Sequence, residues 1–204
     1  MNILHIDCSP RLESHSRALS AALVSRLVVI GPEARVTRRD LGRDPIPHTD
    51  ADYAAALSSP GAMDMGRSNG ALSLSEQLIQ EVEAADVVVI GTPMNNFTLP
   101  SVFKAWIDQL LRIGRTMGVA PDGRKTGLLL DKPVHIGIAS GGFFTGDRAR
   151  QPDFLTPYLQ AALACVGLHS LRFFPLQGTA FLSRDQLDEA RDALLATLDS
   201  AHSS

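Results

Sequence analysis

The sequence has 204 residues, of which 45% are hydrophobic and 20% are charged, and its formal net charge is −3. This length predicts a single domain over residues 1–204, and the weak negative charge disfavours nucleic-acid and membrane-surface partners. No apolar run approaches the roughly 18 residues that a membrane span requires.

The N-terminus and the cysteines predict a cytoplasmic location. The chain starts MNILHIDCSP, which enters an apolar stretch without the charged segment of a secretory signal. Cys8 and Cys165 are the two cysteines and lie far apart, so they do not form a disulfide framework. The six histidines show no metal-ligand spacing, and no metal is predicted.

Short apolar runs alternate with helical patterns along the chain. Five runs are predicted as strands, at residues 3–7, 34–38, 87–90, 134–139 and 171–174. Five apolar stripes predict helices between and after them, at residues 19–27, 74–82, 103–110, 159–166 and 187–198. The run Val-Val-Val-Ile at 87–90 is continuous and β-branched, which is typical of a parallel strand that is covered on both faces.

The helix boundaries carry their own signals. Gly31-Pro32 predicts the end of the first helix, Pro100 the first residue of the third, and Ser183 with Gln186 forms a capping box for the last. A second capping box, Ser73 with Glu76, predicts the start of the helix over 74–82. The segment 43–71 is rich in Pro, Gly, Ser and Asp and is predicted to be a long loop insertion.

Five strands that alternate with five helices predict an α/β doubly wound parallel sheet with helices on both faces. In such folds, ligands bind beyond the carboxyl ends of the strands, at a switch point in the strand order. This rule directs attention to three loops, which follow Asp7, Ile90 and Ala139.

The first loop leads from a strand into a helix N-terminus, where backbone N–H groups and the helix dipole favour an anion. Ser9, Ser14 and Ser16 add hydroxyl groups, and His15 adds a possible positive charge. A hydroxyl-rich loop suits a phosphate monoester, and neither GxGxxG nor GxxxxGK[ST] is present. The alternative is that a serine only caps the helix.

The second loop, residues 91–100, follows the most apolar strand. Met94 and Phe97 offer apolar surface for a flat ring, while Asn95 and Asn96 offer amide donors and acceptors. The alternative is an ordinary turn, in which Asn and Pro are common.

The third loop combines glycines with aromatic residues. Glycine allows the backbone to approach a ligand closely, and aromatic rings can line a pocket. The alternative is a flexible connector whose rings fold onto the core. The residues concerned are Ala139, Ser140, Gly141, Gly142, Phe143 and Phe144. Together the three loops predict a site for a phosphorylated planar heterocycle.

These residues make the chain resemble the FMN-dependent NAD(P)H:quinone oxidoreductases, also called azoreductases, of the flavodoxin-like superfamily. The resemblance covers essentially the whole chain. It rests on Ser9 with SHS at 14–16, PMNNF at 93–97, the helix 99–108, SGG at 140–142 and LTPYL at 155–159.

The resemblance implies strand order 2-1-3-4-5, bound FMN, a homodimer, NADH or NADPH as electron donor, and a quinone or azo acceptor. It implies that the first loop holds the FMN phosphate through Ser9, Ser14, His15 and Ser16. Residues 94–97 would follow the ribityl chain and ring edge, and residues 139–142 the pyrimidine end. Phe97, Phe143 and Phe144 are predicted to line the substrate pocket.

The implied mechanism is ping-pong transfer of two electrons through flavin N5, so no catalytic side chain is predicted. Two residues depart from better-known members, which often carry an aromatic residue at Asn95 and Arg at Ser140. Neither departure removes a backbone donor, so we expect FMN binding to survive.

Three alternatives remain at this level. A flavodoxin-like electron carrier or flavin-binding protein would lack its own turnover, and an apo homologue would have lost FMN. A small phosphatase would use Cys8 as the nucleophile of a C-x₅-R loop, but the position of the arginine is held by Ser14.

Overall fold

The structure, a computed structural model, describes residues 1–58 and 70–200. Its strands are β1 (Asn2–Asp7), β2 (Arg35–Asp40), β3 (Val87–Pro93), β4 (Met117–Val119), β5 (Lys125–Gly127), β6 (Val134–Ala139) and β7 (Leu171–Leu176). Its helices are α1 (His15–Ile30), α2 (Ala51–Ser58), α3 (Gly70–Ala84), α4 (Ser101–Leu110), α5 (Leu155–Ala164) and α6 (Arg184–Ser200).

Five strands form one parallel sheet in the order β2-β1-β3-β6-β7. Numbered along the chain without the short β4 and β5, this order is 2-1-3-4-5. The flavodoxin-like doubly wound fold expected from the sequence is therefore confirmed.

Alternation along the central strands builds a separate core on each face of the sheet. Val88 and Ile90 of β3 pack into the cluster that includes α3, α4 and α5, whereas Val87 and Val89 face α1 and α6. Phe103 and Trp106 are 0% and 1% exposed, so the sequence-based assignment of these two rings to the core is confirmed.

The loop predicted over 43–71 is wrong in two places. Helix α2 occupies Ala51–Ser58, and α3 already includes Gly70. Tyr53 anchors α2, since it is 4% exposed and donates a hydrogen bond to the carbonyl of Asp108 over 3.2 Å. The central part of the predicted loop, 59–69, lies outside the described residues.

The Ser73–Glu76 capping box is also wrong, because Ser73 lies inside α3 and its hydroxyl donates to the carbonyl of Gly70 over 2.8 Å. The box at the start of α6 is confirmed: the Gln186 side chain accepts from Ser183 N–H, and Gln186 N–H donates to the Ser183 hydroxyl. The β4–β5 hairpin was not predicted, because its two strands have only three residues each.

Candidate cofactor site

A cleft of about 320 Å³ opens beyond the carboxyl ends of β1, β3 and β6. This volume is of the size that small-molecule sites occupy. Residues from all three predicted loops line it, together with a residue that follows β7. They are Ser9, Pro10, Arg11, Ser14, His15, Ser16, Pro93, Met94, Asn95, Ala139, Gly141 and Thr179.

The first loop places hydroxyl groups at this cleft, together with N–H groups that have no partner within the described residues. Ser14 is the N-cap of α1, and its hydroxyl accepts a hydrogen bond from Arg17 N–H over 3.3 Å. The Ser14 and Ser16 hydroxyls lie 2.8 Å apart. The N–H groups of His15 and Ser16 lie in the first turn of α1, where no preceding helix carbonyl can accept a hydrogen bond from them. They also lie at the positive end of the helix dipole. The loop therefore serves both as a helix cap and as an end of the cleft that suits an anion.

A buried ionic cluster supports this loop from the protein interior. Asp7 is 0% exposed and lies within hydrogen-bonding distance of Arg17, Arg38 and Ser20. Burial raises the pKa of Asp7, but hydrogen bonds from His5, Arg38 and Ser20 outweigh it and lower the pKa to about 2. Asp7 is therefore a charged structural group.

The second loop contains a strained tight turn. Asn95 and Thr98 exchange backbone hydrogen bonds of 2.8 and 3.0 Å. The two residues between them have positive φ angles, 48° for Asn96 and 69° for Phe97, as in a type I′ turn. A bulky residue such as Phe rarely adopts this conformation, and strain of this kind concentrates at functional sites. The Phe97 side chain is 45% exposed, and its carbonyl accepts a hydrogen bond from Phe154 N–H.

The third loop is held by the segment that follows β7. The carbonyls of Ser140, Gly141 and Gly142 accept hydrogen bonds from the N–H groups of residues 178–180, over 3.0 to 3.3 Å. Within the described residues, the N–H groups of Gly141 and Gly142 have no hydrogen-bond partner. The three hydrogen bonds hold the third loop in one position. They leave the N–H groups of Gly141 and Gly142 available as donors beside the cleft.

The phenylalanines of this loop separate into two environments. Phe143 is partly exposed, and the guanidinium of Arg148 lies 3.8 Å from its ring centroid. Phe144 is 6% exposed and belongs to the core cluster that includes α3, α4 and α5, so the structure contradicts its predicted place as a wall of the substrate pocket. The backbone N–H of Phe144 donates to the side chain of Gln177 over 2.7 Å, which fixes it there.

Several residues at the site escaped the sequence analysis. Thr179 follows the fifth strand of the sheet, so the same switch-point rule could have identified it. Arg17, Gln151 and Gln177 contact the loops only through tertiary structure, and their sequence context carries no signal for this.

The geometry at Cys8 does not support a phosphatase. The thiol is 0% exposed, and burial together with the charge of Asp7 raises its pKa well above the usual value. A protonated, inaccessible thiol is a poor nucleophile. Within the described residues, no group of three or more His, Cys, Asp or Glu side chains could hold a metal ion.

Comparison with known proteins identifies the family. The chain matches the family described as having a flavodoxin-like fold over residues 1–200. FMN-dependent NADH:quinone oxidoreductase 4 of Pseudomonas fluorescens is 49% identical over 197 residues, which cover 95% of this chain and 93% of that protein. The chain belongs to the FMN-dependent NADH:quinone oxidoreductase family.

A further member of this family and two solved structures are also similar to the chain. FMN-dependent NADH:quinone oxidoreductase 5 of Burkholderia lata is 46% identical over 183 residues, 88% of this chain and 86% of its own length. The crystal structure of an azoreductase from Bacillus anthracis superposes with a TM-score of 0.81 at 22% identity, over 97% of this chain and 96% of that one. A second Bacillus anthracis structure, an FMN-dependent NADH-azoreductase in complex with FMN, gives a TM-score of 0.79 at 20% identity, over 98% of each chain. These two structures share the fold.

Proposed function

We propose that this protein is a cytoplasmic, homodimeric FMN-dependent oxidoreductase that uses NADH to reduce quinones and azo compounds. The observation that carries the proposal is the cleft itself, which has at one end the N-terminus of α1, where an anion is favoured, and two backbone loops beyond it. In the part of the chain that the structure describes, no helix has the length and hydropathy that a membrane span requires.

The donors of the first loop fit a phosphate monoester such as that of FMN. Ser9, Ser14 and Ser16 supply hydroxyl groups, and His15 and Ser16 supply N–H groups at the positive end of α1. These residues would hold the phosphate. A phosphate monoester is a dianion and needs several donors that converge on it. The hydroxyl and N–H groups at this end of the cleft meet that need.

The second and third loops fit a flat heterocycle. Met94 supplies an apolar surface, and Asn95, Asn96 and Phe97 form a rigid turn whose shape is fixed before any ligand arrives. Opposite them, 139–142 would approach the pyrimidine end of the ring, where the free N–H groups of Gly141 and Gly142 can donate to ring acceptors. Such preformed donors orient a ring without reorganisation of the protein.

When bound, FMN supplies hydride chemistry, which links a two-electron donor to a two-electron acceptor. The protein's own residues bind and orient. Of the described residues that line the cleft, only Arg11 and His15 carry a readily titratable or charged side chain, and both belong to the first loop. Among the described residues that line the cleft, none is therefore placed as a general acid or base beside the ring, and in a ping-pong scheme the protons that accompany reduction of the acceptor would come from solvent. Phe97 and Phe143 would form the walls on the acceptor side.

Exposed apolar side chains at the second loop and the segment bonded to it support a homodimer. Phe97 and Phe154, joined by the backbone hydrogen bond at Phe97, are 45% and 61% exposed. Apolar surface of this kind is typical of protein–protein contacts, and a second copy of the chain would cover it.

The test is a visible absorbance spectrum of the purified protein after FMN is added and excess FMN is removed. We expect a flavin spectrum that NADH bleaches without oxygen and that a quinone then restores. A flavoprotein that NADH fails to bleach would be an electron carrier or a flavin-binding protein. A preparation that stays colourless would be an apo homologue, and either result would contradict the proposal. Parallel titration with NADPH determines the donor preference.

A further inference from the structure

One side chain outside the three loops connects two of them. Gln151 lies on residues 149–154, here called the strap, which crosses from the third loop towards α5. Its Nε2 lies 3.2 Å from Met94 Sδ and 3.1 Å from the Ser140 hydroxyl oxygen. Met94 belongs to the second loop and Ser140 to the third, so one amide group bridges the two loops.

The strap is itself fixed to both loops through the backbone. Arg150 N–H donates to the carbonyl of Phe143 over 2.9 Å, and Phe154 N–H donates to the carbonyl of Phe97 over 3.0 Å. The position of Gln151 between these two bonds is therefore well defined. These two bonds hold the Gln151 amide in contact with Met94 of the second loop and Ser140 of the third.

Gly142 makes room for this amide. A Cβ atom at residue 142 would lie 2.4 Å from Gln151 Oε1, a distance that real Cβ contacts do not reach. Any other residue at 142 would displace the Gln151 side chain. The glycine thus permits both the close backbone and the bridge.

The two partners of the bridge need it for different reasons. Met94 lines the cleft, and a methionine side chain has three rotatable bonds, so it adopts one position only where a contact fixes it. Ser140 is 3% exposed, and a buried hydroxyl that loses its partner costs free energy. Without Gln151, the Met94 sulfur loses its contact at 3.2 Å and keeps the weaker one to the Ser140 hydroxyl at 3.9 Å, and the Ser140 hydroxyl loses a donor.

We propose that Gln151 is a positioning residue which fixes the Met94 side chain and the Ser140 hydroxyl between the second and third loops and so determines how tightly the protein binds the flavin ring. This inference rests on the proposed function, because the two loops flank the site assigned to that ring. It concerns the ring and leaves the phosphate end unaffected.

The experiment measures the dissociation constants of FMN and riboflavin for the wild-type protein and for Gln151→Met and Gln151→Ala. Riboflavin contains the ring and lacks the phosphate. We expect both variants to weaken both ligands by the same factor, about five-fold, which corresponds to one lost hydrogen bond. The absorbance spectrum of bound riboflavin should also shift, since the contacts of the ring change.

A second variant tests the same bridge without touching Gln151. Gly142→Ala should weaken both ligands as Gln151→Ala does, because its methyl group displaces the amide. The double variant should be no weaker than Gln151→Ala, since the bridge is already lost. Gln80→Ala is the control: this glutamine is exposed on α3, and its amide donates a hydrogen bond to Glu76 over 3.3 Å. Far-UV circular dichroism of each ligand-free variant verifies its fold.

The outcomes separate the inference from the proposed function. If the wild type binds neither ligand, the proposed function fails and this inference fails with it. If the wild type binds both and the Gln151 variants bind equally well, only the inference is overturned. A loss confined to FMN would place the effect at the phosphate end and would also overturn it.

Discussion

Arg17 Nε donates a hydrogen bond over 2.8 Å to the backbone carbonyl of Ser9, from a position inside the protein. The terminal nitrogens of the same guanidinium bind the carboxylates of Asp40 and Asp7. Arg17 is 6% exposed, so these bonds are shielded from water. A single buried cation therefore ties the first loop of the cleft to the ends of β1 and β2.

Replacement of Arg17 by Gln should destabilise the protein by about 3 kcal/mol, because it leaves Asp7 and Asp40 with too little positive charge. Urea denaturation of the ligand-free protein measures the free energy of unfolding. Arg35→Gln is the matched control, since Arg35 is exposed on the edge strand β2, and we expect it to change stability by less than about 0.5 kcal/mol. Equal effects of the two substitutions would contradict a structural role for Arg17.

Asp7 should make the stability of the protein depend on pH in the acid range. Its pKa is about 2 in the folded protein against the ordinary value of 3.8, despite the opposing effect of burial, because His5, Arg38 and Ser20 stabilise the carboxylate. The folded value is the lower one, so the contribution is complete above about pH 4 and is lost as the pH falls towards 2. A shift of this size corresponds to about 2 kcal/mol.

The measurement compares the free energy of unfolding of the wild type and Asp7→Asn from pH 6 to pH 2. The difference between the two proteins should shrink by about 2 kcal/mol over the lower part of this range. Leu23→Ala provides a control with no titrating group, because Leu23 is 0% exposed and its truncation should cost about 3 kcal/mol. Its curve should run parallel to that of the wild type. A constant difference for Asp7→Asn would show that Asp7 does not titrate as described.

The sequence predicted the sheet and the location of the cleft because both depend on local patterns. The continuous run at 87–90 and the run at 134–139 each mark a central strand, and the loops that follow them meet where the switch-point rule requires. By contrast, α2 at Ala51–Ser58 was missed because Pro, Gly, Ser and Asp elsewhere in 43–71 dominate that segment, although ADYAAALS after the N-cap residue Asp50 favours a helix. Packing of Tyr53 against α4 stabilises it, and that contact joins residues 55 positions apart.

The bracing of the site could not be read from the sequence for the same reason. Gln151 meets Met94 across 57 positions, and Gln177 meets Phe144 across 33. A glutamine in a loop carries no sign of a partner so distant. The positive φ of Phe97 is likewise unexpected from its residue type, since phenylalanine avoids that conformation.

The strain at Phe97 should appear as an unusual preference for glycine. Phe97→Ala and Phe97→Gly both remove the ring, but only glycine relaxes the backbone at φ 69°. We expect the glycine variant to be more stable than the alanine variant by about 1 kcal/mol. Thermal unfolding of the two ligand-free variants provides the comparison. Both variants should also raise the KM for quinones, because both lose the proposed wall of the acceptor pocket.

Phe181 offers a matched control for this comparison. It is 73% exposed, and its φ is not among the positive values of the described residues. At Phe181 the order should reverse, with alanine more stable than glycine, because glycine gains only disorder in the unfolded chain. If alanine were more stable than glycine at both positions, the turn at Phe97 would not be strained.

Ser14 allows its two roles, helix cap and phosphate ligand, to be separated. Ser14→Asp keeps an N-cap acceptor for Arg17 N–H and adds a charge that the helix dipole favours, so its stability should match the wild type. Its carboxylate would repel a phosphate, and we expect FMN binding to be lost while riboflavin binding persists. Ser14→Ala should instead lose about 1 kcal/mol of stability and weaken FMN only modestly. Fluorescence titration with the two flavins distinguishes these results. If Ser14→Asp bound FMN as tightly as riboflavin, the phosphate would lie elsewhere than at the N-terminus of α1.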